Sequence, residues 1–172
     1  MLIFLLGYMG SGKTVTGQKL AEALHCRFLD MDEMIEISTG FSVSDYFGKF
    51  GESAFRKKER EILLNHLQDR DAVIATGGGT PCFEDNMELM NRHGITVFLD
   101  TPIETIMERL KGKIEHRPLL NNIPHEQLPE FIREHLRARR VYYERAKIGI
   151  SGEEGDLEEL VKALVILAGD PF

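Results

Sequence analysis

Residues 7–14 read Gly7-Tyr8-Met9-Gly10-Ser11-Gly12-Lys13-Thr14, and the architecture follows from them. They fit the pattern G-x-x-x-x-G-K-[ST], follow an apolar run at Leu2–Leu6 that reads as a buried strand, and open a helical pattern from about Lys13 to Leu24. Each part has a physical purpose. Glycines let backbone N–H groups converge on phosphate oxygens, and the helix N-terminus adds partial positive charge. Lys13 reaches the β- and γ-phosphates, and Thr14 offers a hydroxyl to Mg²⁺. A turn that merely joined strand to helix would not need Lys-Thr directly after the last glycine. The stretch predicts a nucleoside triphosphate site.

Outward from that stretch, short apolar runs alternate with helical patterns. Arg27–Leu29 reads as a second strand ending in Asp30-Met31-Asp32, and helical segments follow at Glu33–Ser38, Ser42–Phe50 and Gly51–Gln68. Ala72–Ala75 is a third strand running into Thr76-Gly77-Gly78-Gly79, Asn86–Arg92 a helix, and Thr96–Leu99 a fourth strand. Pro102 suits the start of the next helix, with Thr101 as its N-cap and an end near Leu110. Lys111–Asn122 is polar and aperiodic; a long helix over Pro124–Ala146, a strand at Ile148–Ile150 and a helix at Leu157–Ala168 complete the chain. Asp156 and Glu159 have the spacing of a capping pair for that last helix. The order predicts one α/β domain over residues 1–172, a five-stranded parallel sheet wrapped on both faces.

Composition narrows the function. A chain of 172 residues can bury roughly 70% of the surface its unfolded form exposes, enough for a core without disulfides or structural metal. Cys26 and Cys82 cannot build a disulfide framework, and neither has a second cysteine at zinc-ligand spacing. The opening Met1–Leu6 lacks a basic n-region and runs straight into glycine, and no stretch approaches the ~20 apolar residues of a membrane span. These features predict a cytoplasmic protein with no membrane partner. A net charge of −7 disfavours broad phosphate neutralisation, so no nucleic acid is expected as a partner. It leaves room for a local basic pocket.

Other residues bear on what the nucleotide is used for. An Asn-Lys-x-Asp guanine-reading motif and an ABC-type Ser-Gly-Gly motif are both absent. Asp30 and Asp32, two apart at a strand end, are expected to project to one face of the ligand crevice. A carboxylate there can take a proton from an attacking hydroxyl or hold Mg²⁺ through water; capping of the next helix is the plainer alternative. Arg56 and Glu59 are spaced for an ion pair one helical turn apart, which is usually a solvated one. Three consecutive glycines at a strand end weaken local structure and make sense where something approaches the backbone closely, such as a substrate ring or a γ-phosphate. Arg117, in the aperiodic segment, suits either an exposed loop or a mobile lid that closes over phosphates and expels water. Among Arg133, Arg137, Arg139, Arg140 and Arg145, periodicity does not choose one that points inward.

Taken together, the residues resemble the shikimate kinase family, which has a nucleoside-monophosphate-kinase-like P-loop fold. The resemblance runs over roughly Leu2 to Ile150. It is carried by the loop at 7–14, Leu29-Asp30-Met31-Asp32, Gly51-Glu52-x-x-Phe55-Arg56-x-x-Glu59, Thr76-Gly77-Gly78-Gly79, Arg117-Pro118-Leu119-Leu120, and Arg139 with Tyr143. It implies a three-layer α/β/α architecture with a substrate-binding helical insert near residues 33–60 and a lid near 111–122. It implies ATP and Mg²⁺, with Gly10, Ser11, Gly12, Lys13, Thr14, Val15 and Arg117 on the nucleotide and Thr14 on the metal. Asp32 would bind substrate hydroxyls and act as the base, alongside Lys13 and Arg117 in catalysis. Arg56 and Arg139 would clamp the substrate carboxylate, Gly78 would touch the substrate, and Glu59 would orient Arg56. Val141 stands where the family usually has proline. Ile150-Ser151-Gly152-Glu153 departs from its adenine loop, so no adenine contact is assigned.

The activity so implied is ATP-dependent phosphorylation of the shikimate 3-hydroxyl, a step toward chorismate and the aromatic amino acids. No long apolar face is left over once the core is assigned, so a monomer is expected. A related kinase acting on gluconate or a nucleoside monophosphate is the alternative acceptor class. A nucleotide-binding module without transfer activity is the alternative from outside enzymes, and it leaves Arg56, Arg139 and the glycine triplet without a purpose.

Overall fold

The structure, a computed structural model, describes residues 1–111, 119–120, 123–124, 126–151 and 156–168. Five parallel strands, β1 (Leu2–Leu6), β2 (Arg27–Asp30), β3 (Ala72–Ala75), β4 (Ile95–Leu99) and β5 (Ile148–Ile150), form one sheet in the order β2-β3-β1-β4-β5. The most apolar strand takes the centre. All five side chains of β1 are buried, whereas the edge strands β2 and β5 are partly exposed. A parallel sheet covered on both faces requires such a continuous apolar run in the middle.

Alternation along β1 divides the core. Leu2, Phe4 and Leu6 face one way, into a cluster with Met31, Ile35, Phe55, Leu63 and Tyr143. Ile3 and Leu5 face the other way, toward Leu20, Ala21, Leu160 and Leu164. The first face is covered by helices α2 (Met31–Thr39), α3 (Val43–His66) and α4 (Asn86–His93). The second is covered by α1 (Lys13–Ala23) and α7 (Asp156–Ala168). A third cluster joins Tyr8 to Ile106 and Leu110 of α5 (Ile103–Leu110) and to Leu128 and Ile132 of α6 (Leu128–Tyr143). At roughly 1.5–3 kcal/mol for each fully buried large apolar side chain, these clusters supply the main stabilisation.

Four local expectations change. Asp30 and Asp32 do not end a strand together: Asp30 ends β2 and caps α2, its Oδ1 accepting from the Asp32 N–H at 3.0 Å, and Asp32 lies in the first turn of α2. The capping preference of aspartate draws the chain into the helix two residues earlier than the apolar pattern indicates. Thr101 does not cap α5; Pro102 holds that position, and the Thr101 hydroxyl donates to Ser11 O at 3.0 Å. Helix α6 begins at Leu128 rather than Pro124, with Pro129 in the first turn, where its missing N–H is tolerated. The two helices expected on either side of Gly51 form one helical run bent at that residue, which holds φ 80° and ψ 171°. Its start is capped as a serine should be, Ser42 Oγ accepting from the Asp45 N–H at 3.0 Å.

Candidate active site

The C-terminal ends of β1, β2 and β3 open onto two adjoining cavities. The larger, about 980 Å³, is lined by the 7–14 loop, Asp30, Asp32, Thr76, Arg109 and the start of α7. Within the loop, Gly10 and Gly12 take φ 81° and 96°, a left-handed region costly for other residues. That conformation wraps the backbone around the N-terminus of α1. Lys13 Nζ donates to Gly7 O at 2.8 Å and to Tyr8 O at 2.9 Å, so the ammonium arches back over the loop. The Thr14 hydroxyl donates to Asp30 Oδ2 at 2.7 Å. Arg109 donates to Gly10 O and Ser11 O at 3.3 and 3.2 Å, bracing the outer side of the cradle. Of the residues expected on the nucleotide, Gly10, Gly12, Lys13, Thr14 and Val15 line this cavity. Ser11 is buried, its N–H donating to Tyr8 O at 3.1 Å and its hydroxyl lying against Gly7.

The smaller cavity, about 70 Å³, is lined by Asp32, Arg56, Glu59, Gly77, Gly78, Gly79 and Arg139 together with Met9, Val43, Phe47, Phe55 and Leu119. Met9, Asp32, Gly77 and Gly78 line both cavities. They form the partition at which groups held on the two sides would meet. The four residues expected on the acceptor, far apart in sequence, thus converge. Arg117 lies outside the described residues, as does most of the 111–122 segment; Leu119 reaches the small cavity and Leu120 is buried in the third cluster.

Arg56 does not form the solvated pair that its spacing alone favours. It is 9% exposed and Glu59 1%, with Arg56 Nη1 donating to Glu59 Oε2 at 2.5 Å and Nη2 to Glu52 Oε1 at 3.2 Å. Burial pushes the Glu59 carboxyl up, and Arg56 and the Thr80 hydroxyl partly offset this; Thr80 Oγ1 donates to Glu59 Oε1 at 2.9 Å. Burial works against the Arg56 charge, but the two glutamates outweigh it and hold the guanidinium firmly protonated. A fixed, charged, planar fork in a half-closed cavity suits a carboxylate.

The glycine triplet explains itself at atomic scale. A Cβ on Gly77 would come within 2.0 Å of Glu59 Oε1, and one on Gly79 within 2.3 Å of Arg56 Nη1. On Gly78 it would sit 3.3 Å from Arg139 Nη1 and 3.4 Å from Met9 N. What approaches the backbone closely at Gly77 and Gly79 is the protein's own ion pair. Gly78 leaves room for the second arginine and fronts both cavities. Arg139 is 7% exposed, and four residues on, buried Tyr143 donates its hydroxyl to Gly78 O at 2.5 Å, tying α6 to the triplet. Burial pushes the Tyr143 phenol up, and it stays a donor at any ordinary pH.

Glu52 and Thr80 escape sequence reasoning as parts of this site. Glu52 stands in the motif around Arg56 without a role assigned to it, and a threonine directly after the triplet is commonplace. Asp30, for which the sequence leaves a cap and a carboxylate facing the crevice equally open, does both: it caps α2 and accepts from Thr14, a partner that no spacing reveals. Among the described residues no group of three or more His, Cys, Asp or Glu side chains could hold a metal ion by itself. The donors available are the hard oxygens of Thr14 and the aspartates beside it. They fit Mg²⁺, which is commonly bound through one or two carboxylates plus phosphates and water.

A family model described as shikimate kinase matches residues 9–167. A protein named shikimate kinase from Phocaeicola vulgatus is 42% identical over 163 residues, covering 95% of this chain and 93% of its own. Shikimate kinase from Bacteroides thetaiotaomicron superposes with a TM-score of 0.87 at 38% identity, covering 99% of both chains. Shikimate kinase from Acinetobacter baumannii, solved in complex with shikimate, does so with a TM-score of 0.87 at 35% identity, covering 99% of this chain and 95% of that one.

Proposed function

This chain belongs to the shikimate kinase family, and from that premise we propose how its residues carry out transfer of the γ-phosphoryl group of ATP to the 3-hydroxyl of shikimate. The observation that carries the assignment is the convergence of Asp32, Arg56, Gly78 and Arg139 on a small cavity that shares a wall with the phosphate cradle. Arg56 and Arg139 grip the acceptor carboxylate, and Glu59 and Glu52 hold Arg56 in position. That anchors the ring so that a hydroxyl lies at the partition beside Asp32. Asp32 takes the hydroxyl proton as the oxygen–phosphorus bond forms and the bond to the ADP oxygen breaks. Lys13 swings from its loop carbonyls to the phosphates and balances their charge, while the backbone N–H groups around Gly10 and Gly12 orient them.

Thr14, with Asp30 and Asp32 nearby, would hold Mg²⁺, which neutralises phosphate charge when bound. The insert at about 33–60 supplies Arg56 and Glu59, and Asp32 stands directly before it, in the first turn of α2. A lid at about 111–122 would bring Arg117 over the nucleotide and exclude water from the reaction. No described helix is long and apolar enough to cross a membrane. A monomer in the cytoplasm, with neither nucleic acid nor membrane as partner, accords with the charge and the absence of a leftover apolar face in the sequence.

The test is acceptor-stimulated ADP release with shikimate, gluconate and nucleoside monophosphates. Shikimate should give by far the highest kcat/KM, and Arg56→Ala should abolish shikimate turnover while nucleotide affinity survives. A preference for a nucleotide acceptor would overturn the substrate assignment, and normal turnover in Arg56→Ala would overturn the clamp.

A further inference from the structure

Tyr8 occupies a variable position of the phosphate loop, yet it is 1% exposed and turned away from the nucleotide cavity into the cluster between α5 and α6. Its carbonyl serves the cradle, accepting from Lys13 Nζ at 2.9 Å and from the Ser11 N–H at 3.1 Å. Its side chain serves α6. The hydroxyl and His135 Nδ1 are 3.0 Å apart, the two rings meet edge-on with centroids 5.6 Å apart, and the Arg139 guanidinium stands over the Tyr8 ring at 5.7 Å. His135 and Arg139 are one helical turn apart, so a single ring addresses both.

We infer that Tyr8 and His135 form a positioning pair for Arg139: the Tyr8 ring, pinned by its hydroxyl to the imidazole, is the platform that aims the guanidinium at the acceptor's carboxylate. A guanidinium over an aromatic face is held by the ring quadrupole, and this matters more in a dry setting. An unpinned ring could rotate and carry its face away from the charge. The hydrogen bond gives the interaction its direction. With the phenol pushed up to about 12 and the imidazole down to about 4, by burial first in both cases, the pair is neutral near pH 7. With the imidazole proton on Nε2, the Tyr8 hydroxyl is the donor and Nδ1 the acceptor. Arg139, Arg56 and Glu52 are the charged groups acting on His135, and the two arginines disfavour a third positive charge there. Neither Tyr8 nor His135 touches the reacting atoms, so both act through Arg139.

The inference rests on the reading of Arg139 as a carboxylate clamp, and the experiment separates the two. Steady-state constants are measured for Tyr8→Leu, Tyr8→Phe, His135→Ala, the Tyr8→Phe/His135→Ala double variant and Arg139→Ala. Each is assayed with shikimate and with its neutral carboxamide. Tyr8→Leu should lower the preference for the carboxylate about tenfold through KM, with KM for ATP within about twofold of the parent. Tyr8→Phe and His135→Ala should each lower it about threefold, and the double variant no further than either, because both break one bond. Arg139→Ala should lower the preference further than any of these, with Arg56 alone left on the carboxylate. If Arg139→Ala keeps it, the clamp reading fails and the inference with it. If Arg139→Ala lowers it while a folded Tyr8→Leu keeps it, only the positioning pair is overturned. Should Tyr8→Leu not fold, Tyr8→Phe and His135→Ala decide: unchanged preference, or equal rises in both KM values, overturns the pair.

Discussion

At the residue scale, the site is governed by what lies against three glycines. Gly79 has φ −95°, which any residue can adopt, so an alanine there meets no backbone strain and only the Arg56 guanidinium at 2.3 Å. Gly79→Ala should displace Arg56 and raise KM for shikimate at least about tenfold, with ATP binding measured by titration calorimetry unchanged. Asp32 makes a different prediction. Asp32→Asn preserves size and removes the base, so kcat should fall by about 10²–10⁴ with little change in the Kd of either substrate. Retention of kcat in that variant would remove Asp32 from the proton-transfer role. The sequence shows these residues as candidates because glycine triplets and paired aspartates are uncommon. It does not show which atom each glycine accommodates, because the intruding side chains come from 18 to 61 residues away.

At the element scale, α3 divides at Gly51 into an outer part carrying Val43 and Phe47 and an inner part carrying Phe55, Arg56 and Glu59. A Cβ on Gly51 would meet nothing within 4 Å, so Gly51→Ala isolates the cost of a left-handed φ. With ψ at 171° the position is one that essentially only glycine adopts, and the variant should lose about 1–3 kcal/mol in denaturant unfolding. Glu59 lies in the inner part. Glu59→Ala would leave the Arg56 charge buried with only Glu52 as partner, and should cost about 3–5 kcal/mol in unfolding together with a large rise in KM for shikimate. The elements themselves were mostly legible: apolar runs gave all five strands, and Gly51 marked the bend. Boundaries failed where a side chain overrode periodicity, as Asp30 did by capping α2 and Thr101 did by bonding to Ser11. A hydroxyl that can bond locally or across the molecule has no unique reading in one dimension.

At the scale of the whole molecule, a net charge of −7 coexists with a small cavity lined by two buried arginines. Composition therefore disfavoured nucleic acid without bearing on small anions. The packing of the third cluster adds a pH dependence. The imidazole of His135 is held down at about 4, below its ordinary 6.5, so the unfolded chain binds a proton more readily than the folded one in between. Its contribution to stability is present above pH 6.5 and is lost as pH falls from there through about 4. Discounted for partial exposure, the loss is on the order of 1–2 kcal/mol. A Tm series from pH 7 to pH 4 should show a drop that is smaller in His135→Gln. An equal drop in both proteins would mean that other groups set the acid limit.

The partition formed by Met9, Asp32, Gly77 and Gly78 has a consequence for inhibitor chemistry. Two binding spaces that share a wall can be filled by one tethered ligand, and a short rigid tether gives its second half a high effective concentration. Such a compound crosses the wall at Gly78, where there is no side chain to mutate out of its path. A substitution there would bring a Cβ to within 3.3 Å of Arg139 and 3.4 Å of the loop backbone, so steric resistance at the crossing would press on Arg139 and on the phosphate loop itself.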